Sequence, residues 1–120
     1  MAYPSYFLDH MNIVRGDGKC EGIRFSVQDD SGKEVAHAFL YLMHNDLHDE
    51  PFGLLEDVEV DESMRGQGIG TKLVNTVIET AREKKCYKLI ATSRHSRPKV
   101  HELYKRIGFE DHGLEFRMNF

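Results

Sequence analysis

The stretch 60-VDESMRGQGIGTKLVNTVIETAREK-84 decides the fold. Three glycines, Gly66, Gly68 and Gly70, stand where a helix has to begin. An apolar face follows at once, with Ile69, Leu73, Val74, Val77, Ile78 and Ala81 recurring at helical spacing. Each glycine weakens a helical turn by about 0.5–1 kcal/mol relative to alanine, so a backbone without side chains must be needed here. A strand running into such a loop and helix presents unpaired N–H groups at the positive end of the helix dipole, which suits phosphate or pyrophosphate.

Upstream, 54-LLEDVEV-60 reads as the strand that feeds the loop, alternating Leu54, Glu56, Val58 and Val60 against Leu55, Asp57 and Glu59. Before it, 21-EGIRFSVQD-29 and 34-EVAHAFLYLMH-44 read as a hairpin around the turn 29-DDSG-32. The polar segment 44–53, broken by Pro51 and Gly53, is a loop. Downstream, 87-YKLIATS-93 reads as a short buried strand. A second helix follows, with Pro98 near its start, Gly108 past its end, and Val100, Leu103, Tyr104 and Ile107 inward. Leu114, Phe116, Met118 and Phe120 alternate in the tail and predict a last strand. This order predicts an α/β (α+β) domain with a mixed, mostly antiparallel sheet and one parallel crossover.

At 120 residues, 40% hydrophobic and 30% charged, the chain reads as one domain over 1–120 with its own core. A net charge of −4 argues against a nucleic-acid binder. No apolar run approaches the roughly 18 residues of a membrane span, the first fifteen residues lack a basic signal-peptide region, and a cytoplasmic setting follows as the default. Cys20 and Cys86 form no disulfide framework and lack metal-ligand spacing, and Cys86 at a helix–strand junction reads as structural. His44 and His48, four apart near Asp46 and Asp49, lie in a loop without a helix signal, so no metal site is expected.

Two phosphate motifs fit poorly. A P-loop needs Gly-Lys-Ser/Thr, whereas Gly70 is followed by Thr71 and then Lys72. A dinucleotide fold needs G-x-G-x-x-G early in a βαβ unit, whereas here the spacing is G-x-G-x-G after a hairpin. A third fits: Arg65, Gly68 and Gly70 match R/Q-x-x-G-x-G/A, and 102-ELYKRIGF-109 matches an L-Y-x-K-x-G-F segment in the right order. In both the chain resembles the GNAT superfamily of acyl-CoA-dependent N-acyltransferases. Residues 54–120 are similar to the glucosamine phosphate members, and the first half only in its strand pattern.

The resemblance implies acetyl-CoA as cosubstrate and acetyl transfer to a primary amine of a small molecule or peptide. It implies that the main chain of Val58 and Val60 pairs with the pantetheine arm, and that Arg65, Gly66, Gln67, Gly68, Ile69, Gly70 and Thr71 cradle the pyrophosphate. Tyr104 matches the tyrosine that protonates the departing thiolate. Its inward position is equally that of a core residue. Glu56 stands where the glucosamine phosphate enzymes have a glutamate and is the first candidate base; Glu59 is the second, if a bulge shifts the register. Where many members carry an asparagine near the last helix, this chain has Arg94, Arg97 and Lys99, candidate phosphate contacts on charge alone. Only about twenty residues precede the hairpin, little room for the two helices that usually wall the acceptor site. That shortened N-terminal region implies an acceptor site that is open or closed by a second subunit, as in a homodimer. An acyl-CoA sensor without turnover is the alternative, and a nucleotide-binding domain the third reading.

Overall fold

A computed structural model describes residues 9–120; expectations about the first eight residues lie outside the described part. Residues 11–19 carry no regular structure and lead into β1, Cys20–Gln28, which pairs antiparallel with β2, Glu34–Met43. Asp29 builds the turn between them: its Oδ1 accepts from the backbone N–H groups of Ser31 and Lys33 and from the Ser31 hydroxyl. β2 pairs antiparallel with β3, Phe52–Val60. A short 3-10 turn, Glu62–Met64, and the glycine loop then lead into helix α1, Ile69–Glu83. That helix crosses over to β4, Leu89–Ala91, which lies parallel to β3 and completes a sheet of order β1-β2-β3-β4. Helix α2, Pro98–Ile107, starts on the predicted proline and stops before Gly108.

The core sits between one sheet face and α1. Ala36, Ala38, Leu40 and Leu42 of β2 and Leu55 of β3 pack against Leu73, Val74, Val77 and Ala81. The strand alternation supplies one surface and the helical spacing the other. Each fully buried Leu or Val contributes about 1.5–3 kcal/mol of transfer free energy. Gly53 is fixed by close approach, since a Cβ there would meet Leu89 Cδ1 at 2.8 Å and Leu40 Cδ1 at 3.1 Å.

Two expectations are corrected. The tail strand does not form: residues 110–120 have no regular structure, and Leu114, Phe116, Met118 and Phe120 are exposed. Alternation supplies a face but no ladder partner, and an unpaired strand has nothing to hold it. The simple alternation of β3 also fails. Phe39 pairs with Glu56 but His37 pairs with Glu59, so β3 carries one extra residue, and Asp57 takes a left-handed φ of 50°. This bulge lets Val58 and Val60 pack toward the core. Glu56 and Glu59 share the opposite face, across from Phe39 and His37. Glu56 thus does not share a face with Val58 and Val60, because period-2 counting assumes an unbroken ladder.

Candidate active site

β3 pairs with β4 only over Gly53–Leu55, so from Glu56 to Val60 its far edge has no strand partner among the described residues. The sheet opens there, on the path into the glycine loop. Val58 and Val60, the two expected main-chain contacts, both lie on this open segment. The Val60 carbonyl accepts a 3.1 Å hydrogen bond from Arg65 Nε, which ties the loop to the strand end. Asp61 N–H donates to the Val35 carbonyl at 2.8 Å and anchors the same turn.

The loop has the geometry an anion needs. Gly66 and Gly68 both take φ of 82°, a left-handed backbone that L side chains rarely adopt. Nothing lies within 4 Å of where a Cβ would stand on either, so the space above them is open. Gly68 is the N-cap of α1, and no side chain caps that end. Among the described residues, the first N–H groups of the helix thus lack a side-chain acceptor and face open space, the general setting of an anion site. Arg65, Gln67, Ile69, Gly70 and Thr71 complete the turn, with Ile69 packing toward the core.

Two cations missing from the sequence-based list border this place. Gly68, Thr71, Lys72, Asn75 and Arg106 line an open depression along the start of α1. Arg106 Nη2 donates to Thr71 Oγ1 at 3.4 Å. Lys72 was within reach of pattern reading, one turn after the last loop glycine. Arg106 lies thirty-five residues beyond Thr71, and only the packing of α2 beside α1 brings the two together.

At the opposite end of α2 stand Arg94, Arg97 and Lys99, about 15 Å away along a ten-residue helix. Of the three, Arg97 acts on the candidate acid, Tyr104. Tyr104 is half-buried, its ring against Phe109 with centroids 5.3 Å apart. Burial pushes its pKa above the usual 10; the Glu56 charge adds to the rise and Arg97 opposes it. Both readings of Tyr104 therefore meet in one side chain, which packs on the core and keeps its proton. Thr92 Oγ1, just past β4, donates to Glu56 Oε1 at 3.4 Å. The neighbouring Ser93 Oγ is buried without a hydrogen-bond partner among the described residues. Glu56, Thr92 and Tyr104 are thus brought together at the opening, and Glu59 lies farther along the same strand face. Cys86 lies within van der Waals reach of the Gly53 site, and burial raises its thiol pKa, the opposite of an activated nucleophile. The His48 ring stacks on Tyr87 at 4.4 Å.

The acetyltransferase (GNAT) family profile matches residues 2–109, and the chain belongs to that family. It is 39% identical over 67 residues to a glucosamine 6-phosphate N-acetyltransferase of Trypanosoma brucei brucei, covering 56% of this chain and 44% of that protein. It is likewise 39% identical over 57 residues to a thialysine N-epsilon-acetyltransferase of Bos taurus, covering 48% of this chain and 34% of that one. The chain thus spans less than half the length of these curated relatives. Among solved structures, an acetyltransferase of Trypanosoma brucei superposes with a TM-score of 0.74 at 29% identity, over 82% of this chain and 69% of that one.

Proposed function

We propose that this single domain is an acetyl-CoA-dependent N-acetyltransferase that passes the acetyl group directly to a primary amine. One observation carries the reading: the unpaired edge of β3 leads from Glu56 and Tyr104 at one end to the positive-φ glycines at the other. A thioester laid along that edge would have its pyrophosphate at Gly66–Thr71 and its main-chain partners at Val58 and Val60. Its carbonyl would then lie near Tyr104. Lys72 and Arg106 would add charge on the phosphate side.

The chemistry follows from the groups at the opening. The amine nitrogen must be neutral to attack, and Glu56, or Glu59 through water, accepts its proton. The nitrogen would add to the thioester carbonyl, and the tetrahedral adduct would collapse with loss of the C–S bond. The Tyr104 hydroxyl would deliver a proton to the leaving sulfur, whose thiol pKa is near 8.5, and the proton taken up by the glutamate would return to Tyr104 through solvent. Burial keeps the Tyr104 hydroxyl protonated at neutral pH, the form a donor needs. The acceptor is a small-molecule or peptide amine; those of the named relatives, glucosamine 6-phosphate and thialysine, are the first to try. The enzyme works in the cytoplasm, without nucleic acid or membrane, and its acceptor side is open or is closed by a second subunit.

The deciding experiment is a thermal-shift comparison of acetyl-CoA, CoA, NAD and ATP. A ligand at about 100 times its dissociation constant adds roughly 2.7 kcal/mol, a visible shift in a domain of this size. Stabilisation by acetyl-CoA and CoA alone is expected; none with either removes the reading. Binding without acetylation of any amine in a broad panel moves the protein to the sensor class.

A further inference from the structure

The sheet face away from α1 is built in ordered rows. Along β2, Ala36, Ala38, Leu40 and Leu42 pack into the core, while the alternate side chains His37, Phe39 and Tyr41 stand half-buried on the far face. The pairing register aligns them across the strands. Arg24, Phe39 and Glu56 form the middle row, with Ser26, His37 and Glu59 to one side of it. To the other side, Gly22, Tyr41 and Leu54 lead on to Ile90 of β4. Directly opposed side chains have Cβ atoms about 4.5–5.5 Å apart, so the rows form one continuous surface.

Part of that surface is apolar and adjoins the place of reaction. A sheet face turned to water ordinarily carries polar side chains, yet Phe39, Tyr41, Leu54 and Ile90 make a floor here, with Ile90 37% exposed. The Phe39 and Tyr41 rings are nearly parallel, 8° apart in plane with centroids 6.1 Å apart. The Tyr41 ring lies over Gly22, where a Cβ would meet it at 3.4 Å. Two residues beyond Ile90 comes Thr92, whose hydroxyl donates to Glu56 at the edge of the floor.

The charge of the rows is one-sided. Arg24 is committed to Glu34, its Nη2 donating at 2.9 Å, and its guanidinium carbon lies 5.6 Å from the centre of the Phe39 ring. The ion pairs among the described residues leave Glu56 and Glu59 without a cation. Two such carboxylates beside an apolar floor favour an ammonium, whereas a phosphate would meet like charge. We propose that Phe39, Tyr41, Leu54 and Ile90 determine acceptor specificity, and that the acceptor is an unphosphorylated amine on an aromatic or branched apolar body. The amine meets Glu56 while the body lies on the floor.

The inference rests on the acyltransferase reading above and narrows its acceptor, and its test begins with binding rather than turnover. With CoA on the protein, 2-phenylethylamine should bind about 10-fold or more tighter than glucosamine 6-phosphate by calorimetry. Saturation transfer should reach its ring protons. In the presence of acetyl-CoA, Phe39→Ala should raise the KM for 2-phenylethylamine about 10-fold or more, with kcat and acetyl-CoA affinity close to wild type. Ile90→Lys, at an exposed position, tests the floor without emptying a packed site. It sets a cation beside the amine and should weaken 2-phenylethylamine by about the same factor, with circular dichroism unchanged. Equal affinity for the two amines would overturn the inference, as would unchanged 2-phenylethylamine affinity in either folded variant. If acetyl-CoA still binds in that case, the acyltransferase reading stands and only the acceptor class falls. A wild-type protein that binds no acetyl-CoA removes both.

Discussion

Among single residues, Tyr104 and Gly68 are the two positions where one substitution tests the proposed chemistry. Burial and the Glu56 charge raise the Tyr104 pKa above its ordinary 10, so the hydroxyl is in its protonated form at neutral pH. Tyr104→Phe keeps the ring against Phe109 and removes only the hydroxyl. Turnover should fall about 10²-fold, the ordinary worth of a general acid, with little change in acetyl-CoA affinity by calorimetry. A fully active variant would leave Tyr104 as a core residue alone. Gly68 has the opposite logic, because its value lies in what is missing. An aspartate is among the residues that tolerate left-handed φ, and nothing lies within 4 Å of its Cβ, so Gly68→Asp should fold. It would set a carboxylate at the proposed pyrophosphate site, and acetyl-CoA affinity should drop by about 10²-fold or more. Unchanged affinity would move the phosphate site elsewhere.

Among the elements, the sequence was most legible where one chain segment contains its own reason. The apolar face of α1, the Asp29 turn, and Pro98 and Gly108 bounding α2 all lie where local patterns put them. The glycine loop was legible for the same reason, since positive φ and open space are properties of the loop itself. What escaped depends on a partner far away in sequence. Arg106 reaches Thr71 only through helix packing, and the tail strand needs an edge to join. The bulge in β3 is intermediate. It changes the face of Glu56, yet its local mark is only Asp57, an aspartate that accepts φ of 50°. That conformation makes a testable demand. Asp57→Gly should be neutral or slightly stabilising, whereas Asp57→Val should cost about 1–3 kcal/mol in urea unfolding. Equal stability of the two variants would mean that the bulge relaxes without cost.

At the scale of the whole molecule, two groups at different ends of the sheet bound its stability against pH. On the solvent face of the hairpin, Glu34 accepts from Arg24 and Ser26, and these bonds hold its pKa down at about 2 against an ordinary 4.5. A carboxylate depressed in the folded state binds fewer protons there than in the unfolded chain. Its stabilisation is therefore complete above about pH 4.5 and is lost as pH falls toward 2. Tyr104 acts with the other sign of charge change. Its raised pKa means that the unfolded chain loses the proton first, so stability falls as pH climbs past 10. The folded domain should have a plateau between these limbs, with independent causes on either side. Urea midpoints measured from pH 2 to 11 test this directly. Glu34→Gln should flatten part of the acid limb and leave the alkaline one alone. Tyr104→Phe should do the reverse. If both variants keep both slopes, the pH dependence lies in other groups, and the Arg24–Glu34 pair is a surface contact without thermodynamic weight.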